Sequence, residues 1–491
     1  MSEKWHDILE SQVLKRPDAL AYSDTLGIRW SYTDTANAVA DITRQLHTAG
    51  VQPGDRVLLL AENCTAVVAV LFACSRLGAA IIPFNARQSE DEVARVLAHA
   101  EPAVVLFTSA VSCEARQHAS GFNAATMCGA FGELDCCKLK SNPVDLEDTA
   151  VILYTTGTTG APKGVMLTHG NLRFAGTISV EAREITANDY AYGVLPLTHV
   201  FGLASVLTAC TCAGAHVFLE PRFSPAKLYK ELCNGVTMLS AVPQMHAMLM
   251  QYAKEQGYKH LPAQTLRYVS AGAAPLDPDW KYRAEAFYGV ALQNGFGMTE
   301  TTAGVCLTRN KIGDPDTSCG PPFPGVEVKL DLNAAGAEGE VGEVLIRGDC
   351  VMKGYFRSPE TTAEVFTNDG WMRTGDLGSL DERGRLHIRG RLKELIIHGG
   401  FNVYPPEVEA VLSEHPQVIQ AAVIGQRQDG DELVVAFVQA AENDFPDPRE
   451  LREFAAQKLA GYKRPSRIEI RTQLPAAATG KILKHKLHDL L

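Results

Sequence analysis

The chain has 491 residues, more than one hydrophobic core usually serves, so at least two domains are expected. Its formal net charge of −11 disfavours nucleic acid and anionic membranes as main partners, and an anionic ligand would need locally concentrated cations. The 12 cysteines show no C-x-x-C spacing and no regular framework, which argues against zinc and disulfides and favours a reducing, cytoplasmic location.

The N-terminal region is polar and lacks the apolar segment of a secretion signal. The longest apolar run, residues 65–83, approaches the length of a membrane span, but Arg76 and Gly78 interrupt it. We interpret this run as a buried helix that leads into a buried strand. No transmembrane span is therefore expected.

Short apolar runs alternate with helix-like stretches through most of the first 390 residues. This alternation predicts α/β sheets built from parallel strands. The strand candidates are RVLLLAE, AAIIPF, AVVLFT, AVILYTT, HVFLEP, TMLSAVP, LRYVSAG and EVLIRG.

The pattern changes near Gly325, where GVEVKL, GEVGEVLIRG and GRLHIRG predict a β-meander. From Arg391 onward, PPEVEAVLSEH and PRELREFAAQKLAGY predict helices, and AAVIGQ and ELVVAFVQ predict strands. We therefore expect a large N-terminal domain over residues 1–390 and a small α+β C-terminal domain over residues 391–491.

The most informative stretch is YTTGTTGAPKGVMLTH, residues 154–169. The apolar AVIL before it predicts the end of a buried strand, and GVMLTHGNLRFAG predicts the opening of a helix, so the polar run is interpreted as the loop between them. Its glycines let backbone N–H groups approach a ligand, and its threonines and Lys163 add donors and one positive charge. Such clusters are mostly ordinary loops, but this crowding of donors favours phosphate binding. The order Lys163 then Gly164 differs from the Walker pattern.

Four further stretches contain the parts of a nucleotide site. The small residues of SAGAAP, residues 270–275, offer a surface for a flat ring, and GFGMTET, residues 295–301, combines an aromatic ring, a hydroxyl and a carboxylate. Asp376 in TGD is predicted to present its carboxylate from a tight turn, which suits two neighbouring sugar hydroxyls. Lys481 follows a glycine in a loop near the C-terminus.

With these motifs in this order, the chain resembles the acyl-adenylate-forming superfamily of acyl-CoA synthetases, peptide-synthetase adenylation domains and firefly-type luciferases. The resemblance covers essentially the whole chain. It implies stacked α/β sheets with a β-barrel-like part, and a small, mobile α+β C-terminal lid domain. It also implies an AMP-forming ligase that uses ATP, Mg²⁺ and coenzyme A, making an acyl-AMP and then an acyl-CoA.

The resemblance also assigns roles to matching residues. Catalytic roles fall to Thr155, His199, Glu300 and Lys481, and Glu300 is also the expected Mg²⁺ ligand. Phe296 replaces the tyrosine that the family usually has against adenine and keeps its stacking face. The full ATP- and AMP-binding set is Thr155, Thr156, Gly157, Thr158, Thr159, Gly160, Lys163, Gly272, Ala273, Ala274, Asn294, Gly295, Phe296, Gly297, Met298, Thr299, Asp376, Arg391 and Lys481.

By the same resemblance, Lys393 is the hinge at which the small domain rotates between two closed states. The coenzyme A tunnel is expected at Gly399, Gly400, Phe401 and Asn402. The acyl pocket is expected at His199, Val200, Phe201, Gly202, Val242, Ala271 and Gly304. Because most of these residues are small or apolar, the acid is expected to carry an apolar tail, either fatty or aryl.

Two alternatives stay open at this point: an adenylation enzyme that loads a carrier protein, and a nucleotide-binding protein without catalysis. The intact Glu300, Lys481 and hinge favour catalysis, and PLTHVFGLAS lacks the acidic residue that amino-acid-specific domains place there. The oligomeric state also stays open, with a homodimer as one alternative. Glu407 and Glu409 are interpreted as a solvated helix face.

Overall fold

The computed structural model describes residues 3–155, 162–262, 265–272, 276–428, 431–442, 444–476 and 482–491. The strands in these ranges are β1 (Leu20–Asp24), β2 (Arg29–Ser31), β3 (Arg56–Ala61), β4 (Ala80–Asn85), β5 (Val104–Phe107), β6 (Ala125–Gly129), β7 (Gly132–Lys138), β8 (Thr149–Thr155), β9 (Lys163–Thr168), β10 (Tyr190–Gly193), β11 (His216–Leu219), β12 (Met238–Ala241), β13 (Tyr268–Gly272), β14 (Leu292–Phe296), β15 (Cys306–Leu307), β16 (Val326–Asp331), β17 (Gly342–Gly348), β18 (Gly354–Tyr355), β19 (Met372–Leu380), β20 (Leu386–Arg391), β21 (Ile396–His398), β22 (Phe401–Val403), β23 (Gln420–Gln428), β24 (Asp431–Gln439) and β25 (Arg467–Arg471).

The helices alternate with these strands along the chain. They are α1 (Asp7–Lys15), α2 (Tyr32–Thr48), α3 (Thr65–Leu77), α4 (Glu90–Ala100), α5 (Cys113–Gly121), α6 (His169–Arg183), α7 (Ala209–Ala213), α8 (Pro225–Cys233), α9 (Pro243–Glu255), α10 (Pro278–Tyr288), α11 (Pro359–Val365), α12 (Pro405–Ser413) and α13 (Pro448–Lys458). A π-helix covers Phe201–Thr208, and short 3₁₀ turns cover Thr299–Thr301 and Leu392–Glu394.

Two eight-stranded sheets dominate the N-terminal part. The first has the order β15-β14-β13-β12-β10-β11-β1-β2, and the second has the order β18-β9-β8-β4-β3-β5-β7-β6. The strands from β14 to β1 in the first sheet are all parallel, as are β8, β4, β3 and β5 in the second. The prediction of parallel α/β sheets is confirmed, and ligand sites in such sheets are expected beyond the carboxyl ends of the strands.

Helix α3 lies between the two sheets, in contact with β1 of the first sheet and with β4 and β7 of the second. Every residue from Thr65 to Ser75 is buried. A helix that is apolar on all sides needs neighbours on all sides, and both sheets supply them. The interpretation of this run as a buried helix followed by a buried strand is confirmed.

The predicted meander forms a third sheet, antiparallel in the order β16-β17-β19-β20. Strand β20 ends at Arg391, and the 3₁₀ turn Leu392–Glu394 leads into the small C-terminal part. There β23, β24 and β25 form one sheet that packs with α12 and α13 around Val408, Ala436 and Leu451. This part is α+β, as predicted, while the exact domain boundary stays a prediction.

One local prediction was wrong, because the polar run after Thr155 does not lead directly into a helix. Residues Lys163–Thr168 form β9, which pairs antiparallel with β8. Helix α6 begins only at His169, because the Thr168 hydroxyl accepts a hydrogen bond from the Asn171 backbone N–H (3.0 Å) and caps the helix there. The phosphate-loop candidate therefore connects two strands of a hairpin.

All twelve cysteines are free thiols. Within the described ranges, no helix has both the length and the apolar character that crossing a membrane requires.

His246 on α9 is a fully buried histidine that supports the first sheet. Its Nδ1 lies 2.7 Å from the Tyr288 hydroxyl, and its Nε2 lies 3.1 Å from the Ser270 carbonyl oxygen. Burial lowers the pKa of His246 from 6.5 to about 4.

The lowered pKa of His246 predicts an acid-dependent loss of stability. Between about pH 6.5 and pH 4 the unfolded chain binds a proton at this side chain and the folded chain does not, so the free energy of unfolding falls as the pH drops. The full loss is roughly 3 kcal/mol. We expect His246→Asn to be less stable at neutral pH but to show a shallower pH dependence in urea unfolding. His488→Asn, on an exposed histidine, is the control that keeps the native slope. A native slope in His246→Asn would contradict the assignment.

Candidate active site

The two ends of the phosphate hairpin lie opposite each other in the second sheet. Thr155 at the end of β8 pairs with Lys163 at the start of β9. The Lys163 ammonium lies over the Tyr355 ring, 5.2 Å from its centroid. The structure therefore fixes the one hairpin cation on an aromatic side chain from a distant part of the sequence.

Tyr355 also holds the predicted metal ligand. Strand β18 pairs with β9, so that Tyr355 lies opposite Val165. From there its hydroxyl donates a hydrogen bond to Glu300 Oε1 (3.0 Å), and the Met352 N–H donates to the Glu300 carbonyl oxygen (2.8 Å). Burial and the adjacent Glu300 carboxylate raise the pKa of Tyr355 above its usual range, so the hydroxyl keeps its proton.

Sequence reasoning missed Tyr355. It lies in VMKGYF, where an aromatic residue in an apolar segment has the appearance of an ordinary core residue. Its pairing with β9 depends on a strand contact between segments far apart in the chain, for which the local sequence offers no signal.

The turn that carries Thr299 and Glu300 is tightly constrained. A Cβ on Gly297 would lie 1.8 Å from the Ala303 carbonyl oxygen, so only glycine fits there. Thr302 and Ala303 adopt positive φ values of 48° and 78°, which non-glycine residues rarely adopt. This strain is held by tertiary contacts, including the hydrogen bond from the Thr302 hydroxyl to the Cys350 carbonyl oxygen (2.8 Å). The backbone thus fixes where the Glu300 carboxylate lies.

Asn294 offers a buried acceptor on β14, in the motif that also contains Gly295, Phe296 and Met298. Its Nδ2 donates to the Ser318 carbonyl oxygen (3.0 Å), which fixes the amide orientation. Among the described residues no group hydrogen-bonds its buried Oδ1. A buried acceptor without a partner is costly, and an amino group such as that of adenine satisfies it.

Asp376 and Arg391 form an ion pair between neighbouring strands, with Arg391 Nε 3.1 Å from Asp376 Oδ1. Asp376 lies within β19 rather than on the tight turn that the sequence predicted. Gly375 next to it has a φ of 71°, and the pairing of β17 with β19 shifts register here, so the local bend is a bulge in a strand. The predicted ribose carboxylate is therefore nearly buried and held by the predicted second contact.

The predicted acyl pocket brings the π-helix against the first sheet. A Cβ on Gly272 would lie 3.2 Å from the Phe201 ring, so this glycine lets the ring lie against β13. His199 Nδ1 accepts a hydrogen bond from the Phe201 N–H (3.2 Å), just before the π-helix. Val200, Val242 and Ala271 are buried, Gly304 packs against Phe323, and Gly202 packs against the Leu195 and Pro196 carbonyl oxygens.

Lys393 lies near the nucleotide-site carboxylates in the 3₁₀ turn between the large and the small part. Desolvation and the neighbouring Arg391 lower the pKa of Lys393, while the charges of Glu394, Asp376 and Glu300 act in the opposite direction. The predicted hinge residue is thus within range of the charges on the predicted ribose carboxylate and the predicted metal ligand.

The predicted coenzyme A tunnel residues form a hairpin turn. Gly399 and Gly400 have positive φ values of 58° and 79°, and the Gly399 N–H donates to the Asp431 carboxylate. Phe401 is 55% exposed and stacks on Tyr462, and the Asn402 amide donates to Glu338 (3.2 Å). In this arrangement the turn contacts the C-terminal part at Asp431 and Tyr462, and the loop between β16 and β17 at Glu338.

The surroundings of Glu409 differ from the solvated helix face that the sequence predicted. It is only 17% exposed and lies 2.6 Å from Lys484 Nζ, which also pairs with Glu394 (3.0 Å). Although burial opposes the charge, Glu409 and Glu394 raise the pKa of Lys484. Glu407 is 42% exposed and binds Lys463 at the surface. The solvated-face interpretation was therefore wrong for Glu409, which anchors the C-terminal segment to α12.

Several predicted site residues lie outside the described residues. They are Thr156, Gly157, Thr158, Thr159, Gly160, Ala273, Ala274 and Lys481. Among the described residues there is no group of three or more His, Cys, Asp or Glu side chains that could hold a metal ion. A metal at Glu300 would therefore share its coordination with oxygens from a ligand, as Mg²⁺ does with nucleotide phosphates.

The Lys163 cation, the Glu300 carboxylate, the buried Asn294 acceptor and the Asp376 carboxylate are groups suited to binding a nucleotide. The family model of AMP-binding enzymes matches residues 9–356, and the model of the AMP-binding enzyme C-terminal domain matches residues 407–481. The chain therefore belongs to the AMP-binding enzyme family.

The similarity to individual relatives extends over nearly the whole length of the chain. The chain is 34% identical to a feruloyl-CoA synthase of Amycolatopsis sp. (93% of each chain) and 32% identical to the 2-succinylbenzoate–CoA ligase of Geobacillus kaustophilus (98% of this chain, 97% of the relative). The crystal structure of the O-succinylbenzoate coenzyme A synthetase of Bacillus subtilis with ATP and magnesium ion matches with a TM-score of 0.83 at 28% identity, covering 98% of this chain and 99% of that one.

The Tyr355 contact predicts a specific effect on metal-assisted nucleotide binding. Tyr355→Phe keeps the ring beneath Lys163 and removes the hydroxyl that holds Glu300. Because a hydrogen bond to a charged group contributes about 1.5–3 kcal/mol, we expect the gain in ATP affinity on adding Mg²⁺ to fall about tenfold. ATP affinity in EDTA should stay near the native value, as measured by calorimetry.

Tyr154→Phe is the matched control for this measurement. Its hydroxyl lies on the same hairpin but bonds His99 (2.7 Å), so its loss should leave the Mg²⁺ effect unchanged. An equal loss with and without Mg²⁺ in Tyr355→Phe would show that the hydroxyl only supports the local fold.

Proposed function

We propose that the protein is an ATP-dependent carboxylic acid–CoA ligase that forms AMP. The acid and ATP give an acyl-AMP and pyrophosphate, and the coenzyme A thiol then gives the acyl-CoA and AMP. The observation that carries the proposal is the contact chain from Lys163 through Tyr355 to Glu300. Family membership and CoA-ligase relatives over the whole length support it.

The first step brings a substrate carboxylate to the α-phosphorus of ATP, and pyrophosphate departs. Two like unit charges about 4 Å apart repel by roughly 4 kcal/mol at an effective dielectric near 20. Lys163 at the base of the hairpin opposes this repulsion, and the threonines from Thr155 to Thr159 supply donors for the phosphate oxygens. Mg²⁺, held by Glu300, supplies further charge neutralisation on the phosphates when it is bound.

The adenosine part is bound by groups that are already in place. Asn294 Oδ1 accepts from the adenine amino group, Phe296 offers a stacking face, and Asp376 binds the ribose hydroxyls beside Arg391. Thr299 bonds the α-phosphate from its constrained turn. His199 stands beside the substrate carboxylate at the entrance to the pocket formed by Phe201 and Gly272.

The second step needs the small domain in another orientation. In the first step Lys481 supplies an ammonium group to the site. Rotation at Lys393 then moves Lys481 away and brings the turn at Gly399–Asn402 to the site. Glycines at positive φ and the exposed Phe401 give this turn a backbone surface along which a pantetheine thiol reaches the acyl-AMP. A mobile C-terminal domain over residues 391–491 is part of the proposal.

We place the acid in the aryl or fatty class, and the enzyme in the cytoplasm, where free thiols persist. Apolar walls at Val200, Val242 and Ala271 support an acid with a largely apolar body. Activity with fatty acids in the substrate panel below would support a role in fatty acid metabolism. Light scattering would show whether the protein forms a homodimer.

The proposal is tested by measuring the two half-reactions separately. ATP–pyrophosphate exchange across a panel of aryl and fatty acids should occur in the native protein and fall at least 100-fold in Lys481→Ala and in Glu300→Gln, since each loses a charge that opposes phosphate repulsion. Lys481→Ala should still convert supplied acyl-AMP and coenzyme A to acyl-CoA.

Lys486→Ala, an exposed lysine of the same C-terminal segment, is the control and should keep both half-reactions. No exchange with any acid, in protein that binds ATP, would favour a binding protein without catalysis. Exchange without CoA-dependent product, but with transfer to the pantetheine of a carrier protein, would favour carrier loading.

A further inference from the structure

The loop between β15 and β16 fixes the orientation of the Asn294 side chain. Asn294 Nδ2 donates to the Ser318 carbonyl oxygen (3.0 Å) and to the Thr317 carbonyl oxygen (3.4 Å). The buried Asn294 Oδ1 has no hydrogen-bond partner among the described residues. Rotating the amide by half a turn would bring Oδ1 against the two carbonyl oxygens, so that three acceptors would meet without a donor. The loop therefore leaves an acceptor, and not a donor, for a ligand at this point.

Asp316 holds this part of the loop, residues 313–318, which we name the orienting loop. Its Oδ1 accepts from the Ser318 N–H (2.9 Å), and its Oδ2 pairs with Arg385 (2.9 Å) from the turn before β20 of the third sheet. The Asn310 side-chain amide donates to the Asp316 carbonyl oxygen (3.0 Å). Because both carboxylate oxygens of Asp316 are bonded, Ser318 is held next to the two carbonyl groups that meet the Asn294 amide.

A buried ion pair on α10 holds the other end of the orienting loop. Lys281 Nζ lies 2.7 Å from Glu285 Oε1, and the two side chains are 0% and 2% exposed. Lys281 also donates to the Asp314 carbonyl oxygen (2.6 Å), and Glu285 Oε2 accepts from the Gly313 N–H (2.9 Å). Glu285 Oε1 accepts in addition from the Leu292 N–H (3.0 Å), at the start of β14. One carboxylate thus ties the orienting loop to the strand that carries the amide.

Both ion pairs bond the backbone around the amide, although most of these charged side chains lie outside the predicted ATP-binding set. The attraction within a buried ion pair is largely offset by the desolvation of its charges, so such a pair adds little net stability. Its directional hydrogen bonds, in contrast, favour one backbone conformation. The conformation favoured here is the one in which two carbonyl oxygens face Asn294 Nδ2.

We propose that the orienting loop, held by Arg385 and by the Lys281–Glu285 pair, makes the site select a 6-amino purine over a 6-oxo purine. The proposal rests on the proposed function, in which Asn294 faces the base, and it gives the charged residues of both pairs the role of positioning residues. A 6-amino group donates to Asn294 Oδ1, whereas a 6-oxo group brings a second acceptor against it. A site built for one hydrogen-bonding pattern rejects the other, because buried polar groups are then left unpaired.

The test compares ATP with inosine triphosphate, which carries an oxygen at purine position 6 in place of the amino group. The Kd of each nucleotide is measured by calorimetry with Mg²⁺ on the full chain. In the native protein we expect inosine triphosphate to bind about tenfold more weakly than ATP, or weaker still. In Arg385→Met this ratio should move close to one, because a loosened loop lets the amide rotate and offer Nδ2 to the oxygen. The ATP affinity should fall while the affinity for inosine triphosphate stays or rises.

Arg383→Met is the matched control, because Arg383 is an exposed arginine of the same turn before β20, and it should keep the native ratio. Lys281→Met removes the second anchor of the orienting loop and should also lower the ratio. Lys281 is buried, so this variant loses folded protein. The ratio is taken within one variant, and a smaller folded fraction therefore affects both nucleotides alike. Arg385→Lys, which keeps a charge towards Asp316, should give a ratio between those of the native protein and Arg385→Met.

A loss of affinity by the same factor for both nucleotides in Arg385→Met and Lys281→Met would overturn the positioning role, since a general defect of the fold acts on both nucleotides alike. Equal Kd values in the native protein would overturn the proposal, while ATP–pyrophosphate exchange would still support the ligase function. Absence of binding of either nucleotide is a different result, since it rejects the nucleotide site and with it the proposed function.

Discussion

The contact of Tyr355 with both Lys163 and Glu300 is the constraint on which the site depends. The ring carries the hairpin cation on its face, and the hydroxyl carries the carboxylate. One side chain thereby contacts a positive group and a negative group at the same time. Both groups stay available for a ligand that needs a cation and a metal ligand at the same time.

Close backbone packing gives this arrangement its rigidity. Gly297 allows the chain to approach the Ala303 carbonyl oxygen, and the turn with the positive φ of Thr302 and Ala303 is held by a hydrogen bond to Cys350, just after β17. On the other side of the pocket, Gly272 lets the Phe201 ring approach β13. Glycines at these points position the polar groups with little freedom, which favours preorganised electrostatics.

The small domain is joined to this rigid part through charges as well as through the chain. Lys484 binds Glu394 beside the hinge and Glu409 on α12, so the C-terminal segment is anchored near Lys393. Arg391 binds Asp376 at the end of the third sheet. The predicted hinge residue Lys393 thus lies between residues of two ion pairs, Arg391 with Asp376 and Glu394 with Lys484.

Local patterns in the chain were sufficient to predict the parallel sheets, the buried α3, the α+β character of the C-terminal part and the motifs of the candidate nucleotide site. These features follow from the spacing of apolar residues along the chain, from the spacing of the strands and from short motifs, all of which depend on residues that are close in sequence. It predicted a helix too early after Thr155, because the capping of α6 at Thr168 outweighed the apolar pattern of residues 165–167.

The contacts between groups far apart in the chain became known from the packing of the folded protein. Tyr355 reaches Glu300 through the pairing of β18 with β9, Asp376 lies in a bulged strand, and Glu409 is paired rather than solvated. The Asn294 amide has one orientation because α10 and the third sheet hold the loop beside it. Such contacts depend on how layers pack across hundreds of residues, and no local pattern in the chain records them.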